Sequence, residues 1–207
     1  MSASLKLARL LSVLHAGESL AAHAAARQAA LAPQRWMSRA LRVQALQELG
    51  HAGMATAALA LNGTRGHGPD ALAALRTQLN RDLDQGRLAA SFLGLQGVVE
   101  HLGEALLEAL GAYTHPAGAP LHALRVRVLA QERGHAQLGA RCLRTFDTQA
   151  SAALADLGAA LDEYRALGAS FALQVADLLD DARLDGAVFW RGVDVRLTQW
   201  HEKVVAV

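Results

Sequence analysis

Long stretches dominated by Ala and Leu alternate with short clusters of Gly, Pro, Asn and Asp, and within the long stretches polar residues keep apolar neighbours one helical turn away. Val and Ile are too sparse for sheet strands, whereas Ala and Leu favour helix. The pattern predicts an all-α chain with long helices over about residues 3–31, 35–61, 87–113 and 120–147. The breaks fall at Pro33, at NGTRGHGP (62–69), at THPAGAP (114–120), near Asp147 to Ser151, and around Asp185 and Gly186. The connection 62–86 contains a short predicted helix, DALAALRTQLNRDL, and is long enough to cross from one end of a bundle to the other, so the second and third helices could run parallel. Residues 150–203 supply one or two further helices, ending in FWRGVDVRLTQWHEK. The expectation is one domain over 1–207, with a four-helix core in 1–148 and a C-terminal helical extension in 149–207.

Several acidic residues sit on the apolar faces of these helices. Glu18 has Leu14, Ala21 and Ala22 around it; Glu48 has Ala45 and Ala52; Glu100 has Leu93, Gly97, Gly103 and Leu107; Glu132 has Val128, Leu129 and Ala136. His51 and His135 follow Glu48 and Glu132 by three residues, so each Glu-x-x-His pair projects from one face on successive turns. The two pairs lie in a repeat: residues 47–52 and 131–136 share Gln-Glu-x-Gly-His-Ala, 84 residues apart, while Glu18 and Glu100 are 82 apart. Such offsets suit two helix pairs related by a pseudo-twofold axis. Four carboxylates converging in an apolar core cost several kcal/mol and repel one another unless a positive charge sits among them. Two divalent cations would supply +4 against −4, and one neutral imidazole would complete the set for each. Carboxylate and imidazole without thiolate suit iron or manganese, and six side chains for two ions leave coordination positions open. Glu, Glu-x-x-His, Glu, Glu-x-x-His is the order found in bundles that hold two metals. The catalytic and metal-ligand set is therefore Glu18, Glu48, His51, Glu100, Glu132 and His135. The competing reading is a row of solvated surface residues.

Neighbouring residues are weaker candidates. Glu104, one turn beyond Glu100, is a spare ligand or a solvated residue. His15, His23 and His101 are packed or supporting histidines before they are ligands. Gln47 and Gln131 could orient ligands, yet each adjoins its Glu and so points about 100° away. Gly17, Gly50, Gly53, Gly97, Gly103, Gly134 and Gly139 fall inside helices, at about 1 kcal/mol each relative to Ala. They mark either close helix approach or a cavity beside the metals. Trp36, Trp190 and Trp200 read as core or interface residues.

Composition narrows the function classes. With 20 basic and 19 acidic residues the net charge is +1, which gives no global field for nucleic acid. The one cysteine, Cys142, excludes an intrachain disulfide and a rubredoxin-type or zinc-ribbon site, and favours a reducing cytoplasm. The first twenty residues carry charge and histidine throughout and read as part of the fold rather than a signal peptide. No run of about 18 apolar residues is uninterrupted, so no segment reads as membrane-spanning, and peripheral membrane contact stays open.

The six-residue order resembles the ferritin-like di-iron carboxylate superfamily across residues 15–135. The tetrad His15-Ala16-Gly17-Glu18 is similar to the His-Ala-Gly-Glu signature of the demethoxyubiquinone hydroxylase family of ubiquinone biosynthesis. The intervals of 30 residues from Glu18 to Glu48 and 52 from Glu48 to Glu100 are similar too, as is the Val-Glu beginning at Val99. Departures follow: His101-Leu102-Gly103 after Glu100 and Ala136 after His135 stand where that family carries further acidic, histidine and tyrosine residues. The resemblance implies a ferritin-like four-helix bundle with a crossover between helices 2 and 3. It also implies two iron or mixed manganese–iron ions, O₂ and a hydrophobic or ring-containing small substrate as reactants, and a monooxygenase acting at a membrane surface. An external electron donor, a reductase, would be required, and a homodimer is open. The alternatives are an iron-oxidising or iron-storing ferritin-like protein, a tRNA-modifying hydroxylase or rubrerythrin-type peroxidase with the same residues, and a metal-free interaction module. Near-neutral charge weakens the tRNA reading, and the lone cysteine removes the usual electron-transfer domain of the peroxidase.

Overall fold

The computed structural model describes residues 3–61, 70–111, 118–147, 151–179 and 185–205, and among them there is no strand. Helices α1 (Ala3–Leu31) and α2 (Arg35–Leu61) form a hairpin. Pro33 fits the break between them because it cannot donate the hydrogen bond that would continue the helix. Ser38 Oγ donates to the Ala29 carbonyl at 2.8 Å and closes that turn. The breaks expected at 62–69 and within 114–117 lie outside the described residues.

The predicted short helix of the connection is α3 (Ala73–Asp84); the turn after it contains Gly86, where φ of +69° suits a residue without Cβ. The predicted third helix is subdivided: α4 (Leu88–Phe92), a π-helical segment (Leu93–Val99) and α5 (Glu100–Leu110). Gln44 on α2 meets Gln96 while Glu48 gathers with Glu100, so residue numbers rise together and α2 runs parallel to α5. The fourth helix, α6 (Gly118–Asp147), runs antiparallel to α5: Gln96 lies against Gly139, and Glu104 against Arg133.

The tail forms α7 (Ser151–Gln174), the short α8 (Ala176–Leu179) and α9 (Gly186–Val205), one helix more than expected. It packs on the π-helical segment. Tyr164 fills the space at Gly94, where an added Cβ would sit 2.3 Å from its ring, and Trp200 and Leu197 close over Gly97. Trp200 also donates from its indole nitrogen to the Ala136 carbonyl at 2.7 Å, tying α9 to α6. Tyr164, wholly buried, donates its hydroxyl to buried Asp82 at 2.7 Å, and Arg87 pairs with the same carboxylate at 3.1 Å. Buried apolar residues from α1 through α9 make one continuous core, so the C-terminal helices are part of the packed bundle.

Candidate metal centre

The six singled-out side chains converge. Glu48 is fully buried, Glu18 is 8% exposed, and the other four lie between. Their polar atoms form two overlapping groups, Glu18, Glu48, His51 and Glu132, and Glu48, Glu100, Glu132 and His135, with all atoms of a group within 4.8 Å of one another. Glu48 and Glu132 belong to both groups. Glu18 with His51, and Glu100 with His135, belong to one each, reproducing the pseudo-twofold of the sequence repeat. The competing reading of solvated surface residues is excluded by this burial.

His51 Nδ1 lies 3.2 Å from Glu18, 3.2 Å from Glu48 and 3.3 Å from Glu132; His135 Nδ1 lies 2.7 Å from Glu48 and 3.4 Å from Glu100. Burial raises the pKa of Glu18, Glu100 and Glu132 well above the ordinary carboxylate range, and the neighbouring carboxylates add to it. Burial opposes charge on His51 as well, yet contacts with Glu132, Glu18 and Glu48 carry its pKa up to about 12. At Glu48 burial is outweighed by His135 and His51, which hold its carboxyl well below the usual range. Without ions, the cluster therefore survives by sharing protons among charges that would otherwise repel.

The donor set fits two cations. Glu48 Oε2, Glu100 Oε2, Glu132 Oε1 and His135 Nδ1 are buried, and although each lies within ion-pair distance of another member of the cluster, none makes a well-directed hydrogen bond, which such atoms in a native core call for. All are hard oxygen or imidazole donors, as iron or manganese takes.

Gln47 and Gln131 do reach the centre. His135 Nε2 lies 2.8 Å from Gln47 Oε1, and His51 Nε2 lies 2.8 Å from Gln131 Oε1. Pointing about 100° from its own Glu turns each glutamine away from the core and into the seam between α2 and α6, where it meets the histidine of the other motif. Each amide oxygen accepts from Nε2–H and so turns Nδ1 inward; this crossed arrangement was hidden because the sequence places each glutamine only relative to its own helix.

Sequence reasoning also missed a chain of neutral polar groups. Gln44 donates to Glu100 at 2.7 Å and to Glu48 at 3.3 Å; Gln96 donates to Gln44 at 3.0 Å and to Gln28 at 2.9 Å; Gln28 donates to Ser91 at 3.1 Å. All four are essentially inaccessible to solvent. The signal was available as three glutamines on otherwise apolar helix faces.

The remaining candidates fall elsewhere. Glu104 stands outside the two groups of the cluster: it pairs with Arg133 at 2.8 Å and lies 3.7 Å from Arg196. His15 contacts Ser19 at 3.2 Å and, with His23, lines a surface pocket of about 430 Å³, so neither supports the centre. His101 is buried, directs Nδ1 to the Gly97 carbonyl and lies edge-on to Trp200. Burial lowers its pKa. The glycines divide three ways: Gly97 and Gly139 admit Trp200 and Gln96, Gly17 and Gly103 border a cavity, and Gly50, Gly53 and Gly134 face open space. Trp200 is in the core, Trp190 packs against it, and Trp36 lies under the Arg141 guanidinium, 4.4 Å from the ring centroid.

That cavity, about 30 Å³, opens on Glu18, Glu100 and Glu132 and is otherwise walled by apolar residues including Val13, Leu72, Leu106 and Phe171. It has room for one or two molecules of water size. Val13 and Leu72 also border a second, outer pocket of about 220 Å³ that reaches Arg9, Asp70 and Arg76 at the surface. Those two side chains stand between the surface and the carboxylates.

Fold and site together define a ferritin-like helical bundle with a buried carboxylate–histidine cluster that fits a di-iron site. No family model matches the chain, and no curated protein matches it. Among solved structures it is similar to "Protein 19 with aldehyde deformylating oxidase activity from Synechococcus", at 18% identity and a TM-score of 0.85, covering 99% of this chain and 92% of that one. That likeness extends to the C-terminal helices. No helix among the described residues is long and apolar enough to cross a membrane.

Proposed function

We propose that this protein is a di-metal, O₂-dependent oxidoreductase acting on a small, largely apolar substrate, with Glu18, Glu48, His51, Glu100, Glu132 and His135 holding two iron ions or a manganese–iron pair. The observation that carries the reading is the apolar cavity meeting the cluster at Glu18, Glu100 and Glu132. A purely structural ion site needs no such opening. Redox-active metal, when bound, supplies the electrons that O₂ requires. The chain supplies the rest. Gln131 and Gln47 keep Nδ1 of His51 and His135 turned inward, Gln44 fixes one oxygen of Glu100, and Leu14, Leu102 and Phe171 exclude water from the reacting volume. Glu18 and Glu132 accept no glutamine hydrogen bond and border the cavity, so they are the carboxylates freest to shift. The oxidase activity carried by the structural neighbour's name is in keeping with this class of chemistry.

The finer reading is a hydroxylase of a hydrophobic or ring-containing molecule, supplied with electrons by a separate reductase. Protein loaded anaerobically with Fe(II) is expected to hold about two irons per chain and to consume O₂ with a reductant present. An apolar aldehyde or phenolic ring compound should raise that consumption and appear as an oxygenated or shortened product by mass spectrometry. Two bound irons without O₂ consumption, or uptake of many irons per chain, would overturn the proposal in favour of a structural site or of iron storage.

A further inference from the structure

The outward side of the α2/α6 pair adjoins the half-buried glutamines that bond the two histidines. It is unusual in three respects. Leu46, Leu49, Val43 and Val126 are between 54% and 69% exposed there, more than scattered surface residues need. Arg35, Arg39, Arg42 and Arg127 are exposed around them and have no acidic partner among the described residues. Apart from Asp147 at its end, the pair contains no acidic residue except buried Glu48 and Glu132. Arg133 is the exception, neutralised by Glu104 and Glu108 of α5.

The third feature is the glycine of the repeated Gln-Glu-x-Gly-His-Ala. Gly50 and Gly134 are exposed, and a Cβ on either would meet nothing within 4 Å, so packing does not require them. They leave backbone without a side chain near Gln47 and Gln131, whose amides are half-buried in the seam and bonded to His135 and His51. From the seam to the cluster the route is one amide, one hydrogen bond of 2.8 Å and one imidazole, in either half.

We infer that this basic, apolar-centred face docks an acidic electron-transfer protein carrying a one-electron iron–sulfur or flavin group, which passes electrons through the Gln–His seam. The inference rests on the proposed redox function of the centre. At each encounter the donor is oxidised by one electron and the metal pair reduced by one. The charge pattern favours a protein over a lipid surface. An apolar centre ringed by one sign of charge is how weak, electrostatically steered partners meet, whereas the face lacks the Lys and the exposed aromatic residues with which proteins commonly enter a membrane interface.

The probe is a small acidic [2Fe–2S] ferredoxin, used reduced and, for binding alone, gallium-substituted so that no electron moves. Full-length protein loaded with iron is expected to bind it with an affinity that falls with salt. The triple variant R39E/R42E/R127E should bind roughly tenfold more weakly or worse. Its metal centre should be reduced by ferredoxin slower by a similar factor, with reduction by dithionite unchanged. Bulk placed on the exposed glycines, G50L with G134L, should slow ferredoxin-driven reduction without altering iron content. Equal binding and reduction by the arginine variant would overturn the inference. So would a failure of the wild type to bind the probe, or binding to phosphatidylglycerol vesicles that is lost with the same arginines. If the chain takes up no metal, the functional proposal fails by itself, and titration with gallium ferredoxin still decides whether the face docks an acidic protein.

Discussion

Gln131 and Gln47 carry a share of the site that no single-helix reading assigns to them. Each accepts a hydrogen bond from the histidine of the opposite motif, so loss of one amide frees an imidazole in the other half of the bundle. Gln131→Leu is expected to weaken uptake of metal by roughly 10- to 100-fold, the usual effect of removing a partner that orients a ligand, while leaving helix content unchanged. Competition against a fluorescent chelator would measure it, and an unchanged affinity would show the amide to be incidental. Gln47→Leu should behave alike if the pseudo-twofold of the sequence holds in energy as well as in geometry. The six central residues were legible in the sequence because carboxylates flanked by Leu and Ala on a helix cannot be left unneutralised. The crossing was not legible. It depends on which faces of α2 and α6 meet, and that is a property of assembled helices. Glu104, one turn from Glu100, read as a spare ligand or a solvated residue, and its pairing with Arg133 and Arg196, distant in sequence, was likewise not legible.

At the scale of elements, Pro33 announced its break because it imposes a backbone constraint of its own. The π-helical segment Leu93–Val99 announced nothing, since LGLQGVV reads as ordinary helix. What surrounds it is long-range: Tyr164 of α7 enters the space at Gly94, and Trp200 of α9 the space at Gly97. The segment adds a residue to the turn just ahead of Glu100, and such insertions are frequent where a helix carries a functional group. Gly94→Ala would place a methyl group 2.3 Å from a ring carbon of buried Tyr164 and is expected to destabilise the fold by about 1–3 kcal/mol, read from denaturant unfolding. Gly134→Ala, with open space at its Cβ, should instead be neutral or slightly stabilising. Equal effects at both positions would mean that the close approach of Tyr164 is not maintained in solution.

For the molecule as a whole, the cluster makes stability depend on pH in a direction that metal should reverse. Glu18, Glu100 and Glu132 have folded pKa values above the ordinary value of 4.5, so the metal-free fold binds more protons there than the unfolded chain. Their stabilising contribution is complete below 4.5 and is lost as pH climbs through the raised values. His51, raised from 6.5 to about 12, contributes fully below 6.5 and loses that contribution on the way up to 12. Glu48, lowered, acts the other way: its contribution is present above 4.5 and lost only on acidification. Metal-free protein is therefore expected to melt at progressively lower temperature between pH 5.5 and 8.5. Iron or manganese competes with those protons, so the rise in melting temperature on adding metal should grow with pH. A metal-free melting temperature that climbs over the same range would contradict the shared-proton description of the cluster.

Glu48 and Glu132 each stand in both halves of the cluster, and neither ion position can be completed without borrowing from the other. Under the proposed function, a first ion would draw both carboxylates into place and cancel half of their repulsion, so that the second finds its seat already formed. Occupancy would then tend toward none or two, and a chain caught with a single ion would be a scarce and short-lived species.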